Sequence, residues 1–431
     1  MLRLLERSKL RRLMLFVEQR ESFEAFCYIA TRLGMRLPAV RRRPRPAAPL
    51  RPTSSGPRIR LVACVHSLAL EGAPLSLIEI LIGLTRTGRF DIQLLCAEEG
   101  PLVDRVRSAG IVVHLIPAPQ DGAGGERAYE ASIDSYARSL VALEPDLVLA
   151  NSLVSFHAID AARVAGIRSM WLIREADAPN RFVEKYPRAV QSRALACLDY
   201  PARIVFASRA TMNAWPRGTV ASRLIRTVPD LASIGILGRW NRADARRSLE
   251  LNDRDVVALC VGTVCDNKGQ SDLIAAVARC GGRVRAVLVG APAAPGGAAV
   301  MRAVKRQSDN GWIRSNPPTP DIGRFYAAAD IYVCCSRSES YPRTILEALA
   351  FGLPIVTTLV GGIQEALGRT QAMSYAPGDA TALREALLRL TATPALRSQM
   401  AASSRTRWEE IQHQPSTAAA YAAEIAGVLA T

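Results

Sequence analysis

The chain has 431 residues, 49% of them apolar and 22% charged, which is room for two domains with full cores and excludes disorder over its bulk. Its formal net charge is +16, yet residues 1–60 hold fifteen Lys or Arg against four Glu and leave only +5 for the other 371. The basicity therefore belongs to a leader and says little about the body of the chain.

Residues 1–37 alternate Leu, Met and Phe with Arg at helical intervals. Such a helix suits an anionic membrane surface, with Leu4, Leu5, Leu13 and Phe16 inward, or packing on the body or a partner protein. Arg41 to Pro57 is rich in Pro and Arg and reads as an extended linker. No aromatic residue interleaves it, so nucleic acid is not expected as a partner. Nine cysteines lie without a CxxC pair, several of them (Cys64, Cys96, Cys260, Cys334) in apolar runs, which fits reduced thiols in the cytoplasm. The histidines His66, His114, His157 and His413 form no ligand-like cluster, so no metal is expected. No uninterrupted apolar run reaches about 18 residues, and none leads into a small-residue cleavage site, against a spanning helix and a secretory leader.

The first domain opens with an apolar strand at Ile59 to His66. Gly72-Ala73 then stand at a strand-to-helix turn before an amphipathic helix from about Pro74. Glycine there lets backbone amides approach a phosphate, although the spaced glycines of a dinucleotide fingerprint are missing. Strands are predicted at Asp91–Cys96, Val112–Leu115, Asp146–Ala150, Met170–Ile173 and Ile204–Ala207, with helices at Leu102–Ala109, Ala128–Ala142 and Ala158–Ala165. The alternation specifies a doubly wound parallel sheet with its ligand loops at one edge. Residues 121–125 read as a flexible surface loop, and His157 as a satisfied surface histidine at a helix start. From Ser208 to Arg254 the chain crosses to a second domain. That domain opens with a strand at Asp255–Thr263, places Lys268 in the following turn and starts a helix near Ser271 or Asp272. Another strand follows at Val284–Gly290.

The most informative stretch is Asp330–Gly362: a strand at Ile331–Cys335, a polar loop at Ser336–Tyr341, a helix opened by Pro342, and a strand at Ile355–Leu359 ending in Gly361-Gly362. A continuous apolar run beside a helical one marks a buried parallel unit. Glu339 in the loop and Glu347 in the helix can accept sugar or ribose hydroxyls. Each also has a plainer role, solvation for Glu339 and a capping box with Thr344 for Glu347. Lys268 suits a diphosphate, or is a solvated turn cation. The chain closes in helical patterns with Trp408 and Tyr421 as packing residues.

Ser336, Glu339, Tyr341-Pro342, Glu347-Ala348, Gly352-Leu353-Pro354 and Gly361-Gly362 resemble the two-glutamate motif of the retaining GT-B glycosyltransferases of family 4, or glycosyl transferases group 1. The likeness is strong over Asp330–Gly362 and weaker from Arg58 to Thr431. It implies an α/β GT-B fold of two Rossmann-like, doubly wound parallel-sheet domains facing each other across a cleft. The leader and linker would be residues 1–57, the acceptor-side domain 58–225, the donor domain 226–400, and 401–431 would be helices crossing back to the first domain.

By the same resemblance a nucleotide-diphosphate-sugar, with no further cofactor, would be held by Gly72, Ala73, Thr263, Lys268, Glu339, Tyr341, Glu347, Gly361 and Gly362. Lys268 and backbone amides near Gly72 and Gly361-Gly362 would face the diphosphate, Glu347 the ribose and Glu339 the sugar hydroxyls. Asn151, Arg174 and Glu175 would lie on the acceptor side, and catalysis would rest on Glu339, Lys268 and Arg174. Three positions depart from the pattern: Ala73 replaces a second glycine, Thr263 an arginine and Arg174 a histidine. The Arg174 guanidinium can hold a phosphate or an acceptor carboxylate through its planar fork.

The implied activity is retaining, metal-independent sugar transfer to a polysaccharide, glycolipid or small-molecule acceptor in the cytoplasm, with the leader able to reach the inner membrane face. Two alternatives stand beside it. One is a nucleotide-sugar epimerase or hydrolase on the same fold, and the other a non-catalytic sugar-nucleotide-binding or scaffold protein.

Overall fold

Among the described residues thirteen strands build two sheets, and in both the chain alternates strand and helix as the apolar runs and amphipathic stretches dictate. A computed structural model describes residues 47–430 except 52, 54–56, 120–124, 177, 216–219, 233–234 and 309–310. The amphipathic leader over 1–37 and nearly all of the loop expected at 121–125 lie outside the described residues.

The first sheet contains β1 (Ile59–Ser67), β2 (Phe90–Glu98), β3 (Val112–Leu115), β4 (Leu147–Asn151), β5 (Ser169–Ile173), β6 (Arg203–Phe206) and β7 (Ser222–Leu224) in the order β3-β2-β1-β4-β5-β6-β7. The second contains β8 (Val257–Val261), β9 (Arg285–Val289), β10 (Ile313–Asn316), β11 (Ile331–Cys334), β12 (Ile355–Thr357) and β13 (Ala372–Ser374) in the order β10-β9-β8-β11-β12-β13. All pairings within them are parallel. Strand order reverses beside β1 and beside β8, the two places where open sheets of this kind offer a crevice.

Alternate residues of each strand go to opposite faces, and both faces are covered. Val62, Cys64, Val148, Ala150 and Trp171 pack into one layer, while Leu61, Ala63, Leu147, Leu149 and Met170 pack into the other. The second sheet divides the same way, with Ala258, Cys260 and Val333 on one side and Val257, Leu259 and Tyr332 on the other. The eight described cysteines are free thiols, seven of them buried. His157 is half-buried against the rings of Tyr136 and Phe156 rather than on the open surface, and burial, with His66 nearby, lowers its pKa to about 4. It stays neutral and packs like an aromatic ring. No described helix is long and apolar enough to cross a membrane.

The last helix, Thr417–Leu429, packs on the helix Gly72–Thr85, and its Tyr421, Ala422, Ile425 and Val428 enter a core layer of the first sheet. Trp408, on the preceding helix, packs instead beside the second sheet. Gly83 allows the close approach, because a Cβ there would stand 2.6 Å from the Cβ of Ala418. Further contacts join the sheets at the amino end of the helix Arg209–Ala214. Glu365 accepts the main-chain N–H groups of Arg209 (3.0 Å) and Ala210 (2.8 Å) and an ion pair from Arg226 (2.8 Å). Thr211 donates to Ser340 at 2.9 Å, and Gly362 is pressed against Ser340 and Ser208.

Two outcomes follow. Ala is the better helix former by about 1 kcal/mol, so Gly83→Ala should destabilise the chain where Ala418 blocks it and become stabilising in an Ala418→Gly background. Denaturant unfolding of the four proteins reads the change of sign; the same sign in both backgrounds would refute the close contact. Burial works against the Glu365 charge, but the two main-chain bonds and Arg226 prevail and hold its carboxyl below the ordinary 4.5. A lowered pKa in the folded state adds stability that is complete above the unfolded value and is lost as pH falls through the folded one. The stability gap between wild type and Glu365→Gln should therefore shrink as pH drops below about 4.5, and a gap that stays constant would contradict it.

Candidate functional site

The loops leaving the carboxyl ends of β1, β8 and β11 converge on a cavity of about 540 Å³ between the two sheets, a size ordinary for a small-molecule site. Leu70 to Ala73, Leu102, Arg105 and Arg174 line it from the first sheet's side. Gly262, Thr263, Lys268, Pro318 to Pro320, Glu339, Tyr341 and Glu347 line it from the second. Gly72, Ala73, Thr263, Lys268, Glu339, Tyr341, Glu347 and Arg174, all expected at the site, are thus brought together. Asn151, Glu175, Gly361 and Gly362 are not in the wall.

Lys268 ends a 3-10 turn, Asp266–Lys268, that closes through Gly269 at φ 62°. A Cβ on Gly269 would lie 2.2 Å from the Cys335 carbonyl, so glycine brings this turn against the end of β11. Lys268 Nζ then reaches Glu339 Oε1 at 2.6 Å, and Ser336 Oγ donates to the same oxygen at 2.7 Å. Burial weakens the lysine's hold on its proton, but the Glu339 carboxylate more than restores it, and the pKa lies above the ordinary lysine value. Lys268 is therefore a paired cation in the cavity wall and not a solvated turn residue. Its side chain keeps 30% of its exposure, which leaves it open to an anion in the cavity.

Glu347 occupies the helix Arg343–Ala350 and is 4% exposed. One carboxylate oxygen accepts from Tyr326 Oη at 2.7 Å, the other from Arg343 Nε at 2.7 Å. The capping-box alternative fails, since the residue that caps the helix is Pro342 and not Thr344, and no side-chain cap bond forms. Each oxygen retains a second lone pair for a hydroxyl. Arg343 turns its outer edge to the opposite side of the cavity, donating to both oxygens of Glu79 at 2.6 and 2.9 Å. Glu79 lies on the helix Gly72–Thr85 and also meets Arg105 at 3.4 Å.

Sequence reasoning missed Arg343, Glu79 and Tyr326. Two signals were available: Arg343 stands four residues before Glu347 on one helix, and Glu79 is the one charged residue in the helix GAPLSLIEILIGLT.

The residues outside the wall hold it from behind. Gly361, at φ 54°, sits where a Cβ would be 1.9 Å from the Glu339 carbonyl, and the Gly362 amide donates to that carbonyl at 3.0 Å. Of the amides expected near Gly361-Gly362 to face a diphosphate, that of Gly362 is thus already bonded and fixes Glu339. Asn151, fully buried, donates to the Ala73 carbonyl at 3.1 Å and accepts from Arg174 Nε at 3.1 Å. Glu175 accepts the main-chain N–H groups of Leu153 (2.9 Å) and Arg174 (3.1 Å), and burial still raises its pKa. Among the described residues no group of three His, Cys, Asp or Glu side chains could hold a metal ion.

The Glu79–Arg343 contact yields a direct test. Both side chains are under a tenth exposed, so Glu79→Gln and Arg343→Gln should each destabilise the chain, with a coupling of about 1–3 kcal/mol in the double-mutant cycle. Additive losses in urea unfolding would mean that the two residues do not interact.

Two sequence profiles match the chain: Glycosyl-transferase family 4 over residues 58–238 and Glycosyl transferases group 1 over residues 255–393. Among curated proteins, a D-inositol 3-phosphate glycosyltransferase of Segniliparus rotundus is 31% identical over 150 residues, 33% of this chain and 33% of that protein. A putative teichuronic acid biosynthesis glycosyltransferase of Bacillus subtilis is 32% identical over 144 residues, 33% of this chain and 34% of its own. The alignments thus span about a third of these relatives. Among solved structures, Anabaena HepE in complex with UDP and glucose superposes with a TM-score of 0.71 at 19% identity, covering 86% of this chain and 100% of that one. Sucrose-phosphate synthase from Thermosynechococcus elongatus gives 0.69 at 16%, covering 86% and 100%. With both profiles falling on the two sheets that enclose the cavity, the chain belongs to the GT-B glycosyltransferases of the family 4 and group 1 type.

Proposed function

We propose that the protein transfers a glycosyl group from a nucleotide-diphosphate-sugar to an acceptor hydroxyl with retention at the anomeric carbon. The observation that carries the reading is the pairing of Lys268 with Glu339 in the wall of a cavity that also holds the buried acid Glu347. In support, the fold relative HepE is described in complex with UDP-glucose.

In this reading Glu347, fixed by Tyr326 and Arg343, accepts the ribose hydroxyls, and Glu339 accepts hydroxyls of the transferred sugar. Lys268 takes a diphosphate oxygen. As the bond from the anomeric carbon to the diphosphate breaks, its electron pair leaves with the diphosphate, and the Lys268 ammonium stabilises the growing charge where it appears. The acceptor hydroxyl bonds to the same carbon from the face the diphosphate vacates, and passes its proton to the departing diphosphate oxygen. No enzyme nucleophile enters this step, so the two acids act as donor grips and not as a glycosidase pair. Apolar walls at Leu70, Leu102 and Ile322 restrict water around the activated sugar.

Lys268→Ala is expected to lower kcat/KM by about 10²–10³, and Glu347→Gln to weaken nucleoside diphosphate binding roughly tenfold, as for the loss of one charged hydrogen bond. Steady-state kinetics and calorimetry on folded variants check both, and NMR of the product's anomeric proton checks retention. Unchanged donor affinity and turnover in both variants, or inverted product, would overturn the proposal.

A further inference from the structure

Arg174 is held as if waiting for a negative charge. It leaves the end of β5 and lines the cavity from the first sheet's side. Its Nε donates to Asn151 Oδ1 at 3.1 Å and its Nη1 to Thr227 Oγ1 at 2.7 Å, both neutral acceptors. Asn151 is in turn fixed to the Ala73 carbonyl, so the guanidinium is oriented before any ligand binds. Its Nη2 is shielded from solvent and has no hydrogen-bond partner.

That combination sets it apart among the described residues. Six other arginines also keep a buried nitrogen without a hydrogen bond, and every one of them has a carboxylate within 4.0 Å. Arg174 forms no such ion pair. The adjacent acid does not supply one: Glu175 makes no ion pair with the guanidinium, and its Oε2 accepts the main-chain N–H groups of Leu153 and Arg174. A guanidinium cannot shed its proton to escape this position, and a partly buried cation without a counter-charge is costly until an anion arrives.

We propose that Arg174 is an anion-recognition residue, and that one of the two substrates brings a phosphate or carboxylate, other than the donor diphosphate, to its guanidinium. The inference rests on the glycosyl-transfer reading and narrows it. The group is either a carboxylate on the transferred sugar or a phosphate or carboxylate on the acceptor. The donor diphosphate is assigned to Lys268, in a turn of the opposite sheet.

The test uses the full chain. Calorimetry with UDP, GDP and ADP selects the tightest nucleotide, and inorganic phosphate is then titrated into that complex at constant ionic strength, with chloride as the control. Saturable phosphate binding is expected, weakened at least tenfold in Arg174→Gln and partly restored in Arg174→Lys, with thermal unfolding midpoints confirming that both variants fold. Two comparisons then distinguish the source. Tighter binding of the nucleotide's glucuronate ester than of its glucose ester, lost in Arg174→Gln, places the anion on the transferred sugar. Tighter binding of glucose 6-phosphate than of glucose to the nucleotide complex, lost in the same variant, places it on the acceptor.

No saturable phosphate site, or a site indifferent to Arg174→Gln, overturns the inference. So does a variant that loses nucleotide affinity without any second anion site, which would make Arg174 a diphosphate ligand. Failure of every nucleotide to bind counts against the glycosyl-transfer reading instead, and phosphate titration into the free protein then still decides the role of Arg174.

Discussion

The Arg343 guanidinium, placed between Glu79 and Glu347, is the contact on which the arrangement of the cavity turns. All three side chains are less than a tenth exposed, so each charge is tolerable only because the others are present. Burial acts against the charge on Arg343, yet the two acids outweigh it and hold the proton more firmly than usual. Glu79 belongs to a helix that follows β1, and Glu347 to a helix that follows β11. One side chain therefore fixes the orientation of an acid in the cavity and ties the two sheets together. An arginine suits this place because its fork offers Nε to one carboxylate and both terminal nitrogens to the other, which a lysine ammonium cannot reproduce.

Topology puts these groups within reach. Each sheet reverses strand order beside its first strand, so the loops after β1 and β8 open into the same space as the loop after β11. Close backbone approaches then set the fine positions. Gly269 brings the Lys268 turn onto the Cys335 carbonyl, and Gly361 lies on the carbonyl of Glu339. Lys268 and Glu339 meet because both of their loops are pinned by glycines that leave no room for a side chain. On the first sheet's side two polar neutral groups hold Arg174, Thr227 in the wall and Asn151 behind it. Of the cations lining the cavity, Arg105, Lys268 and Arg343 each have a carboxylate partner, and Arg174 has none.

The strands with long apolar runs were legible in the sequence because burial on both faces leaves a continuous signal, as at Leu147–Asn151 and Ser169–Ile173. Ser222–Leu224, Ile313–Asn316 and Ala372–Ser374 were not, since each is a short edge strand whose half-exposed residues break that signal. At the cavity, Glu339, Glu347 and Lys268 could be found from the spacing of a motif. The long-range pairings could not, because Glu79 lies 264 residues from Arg343 and Glu339 lies 71 from Lys268. Glu347 showed how a local rule can mislead: Thr344 and Glu347 have capping-box spacing, but the buried guanidinium and the Tyr326 hydroxyl give the carboxylate stronger partners than a helix end offers.

The most direct measurement is a structure determined with an intact nucleotide-diphosphate-sugar bound. The ribose hydroxyls should lie on the Glu347 carboxylate, the diphosphate within hydrogen-bonding distance of Lys268 Nζ, and the Glu79–Arg343 contact should persist. A nucleotide bound outside this cavity, or one whose ribose and diphosphate touch neither Glu347 nor Lys268, would contradict the assignment.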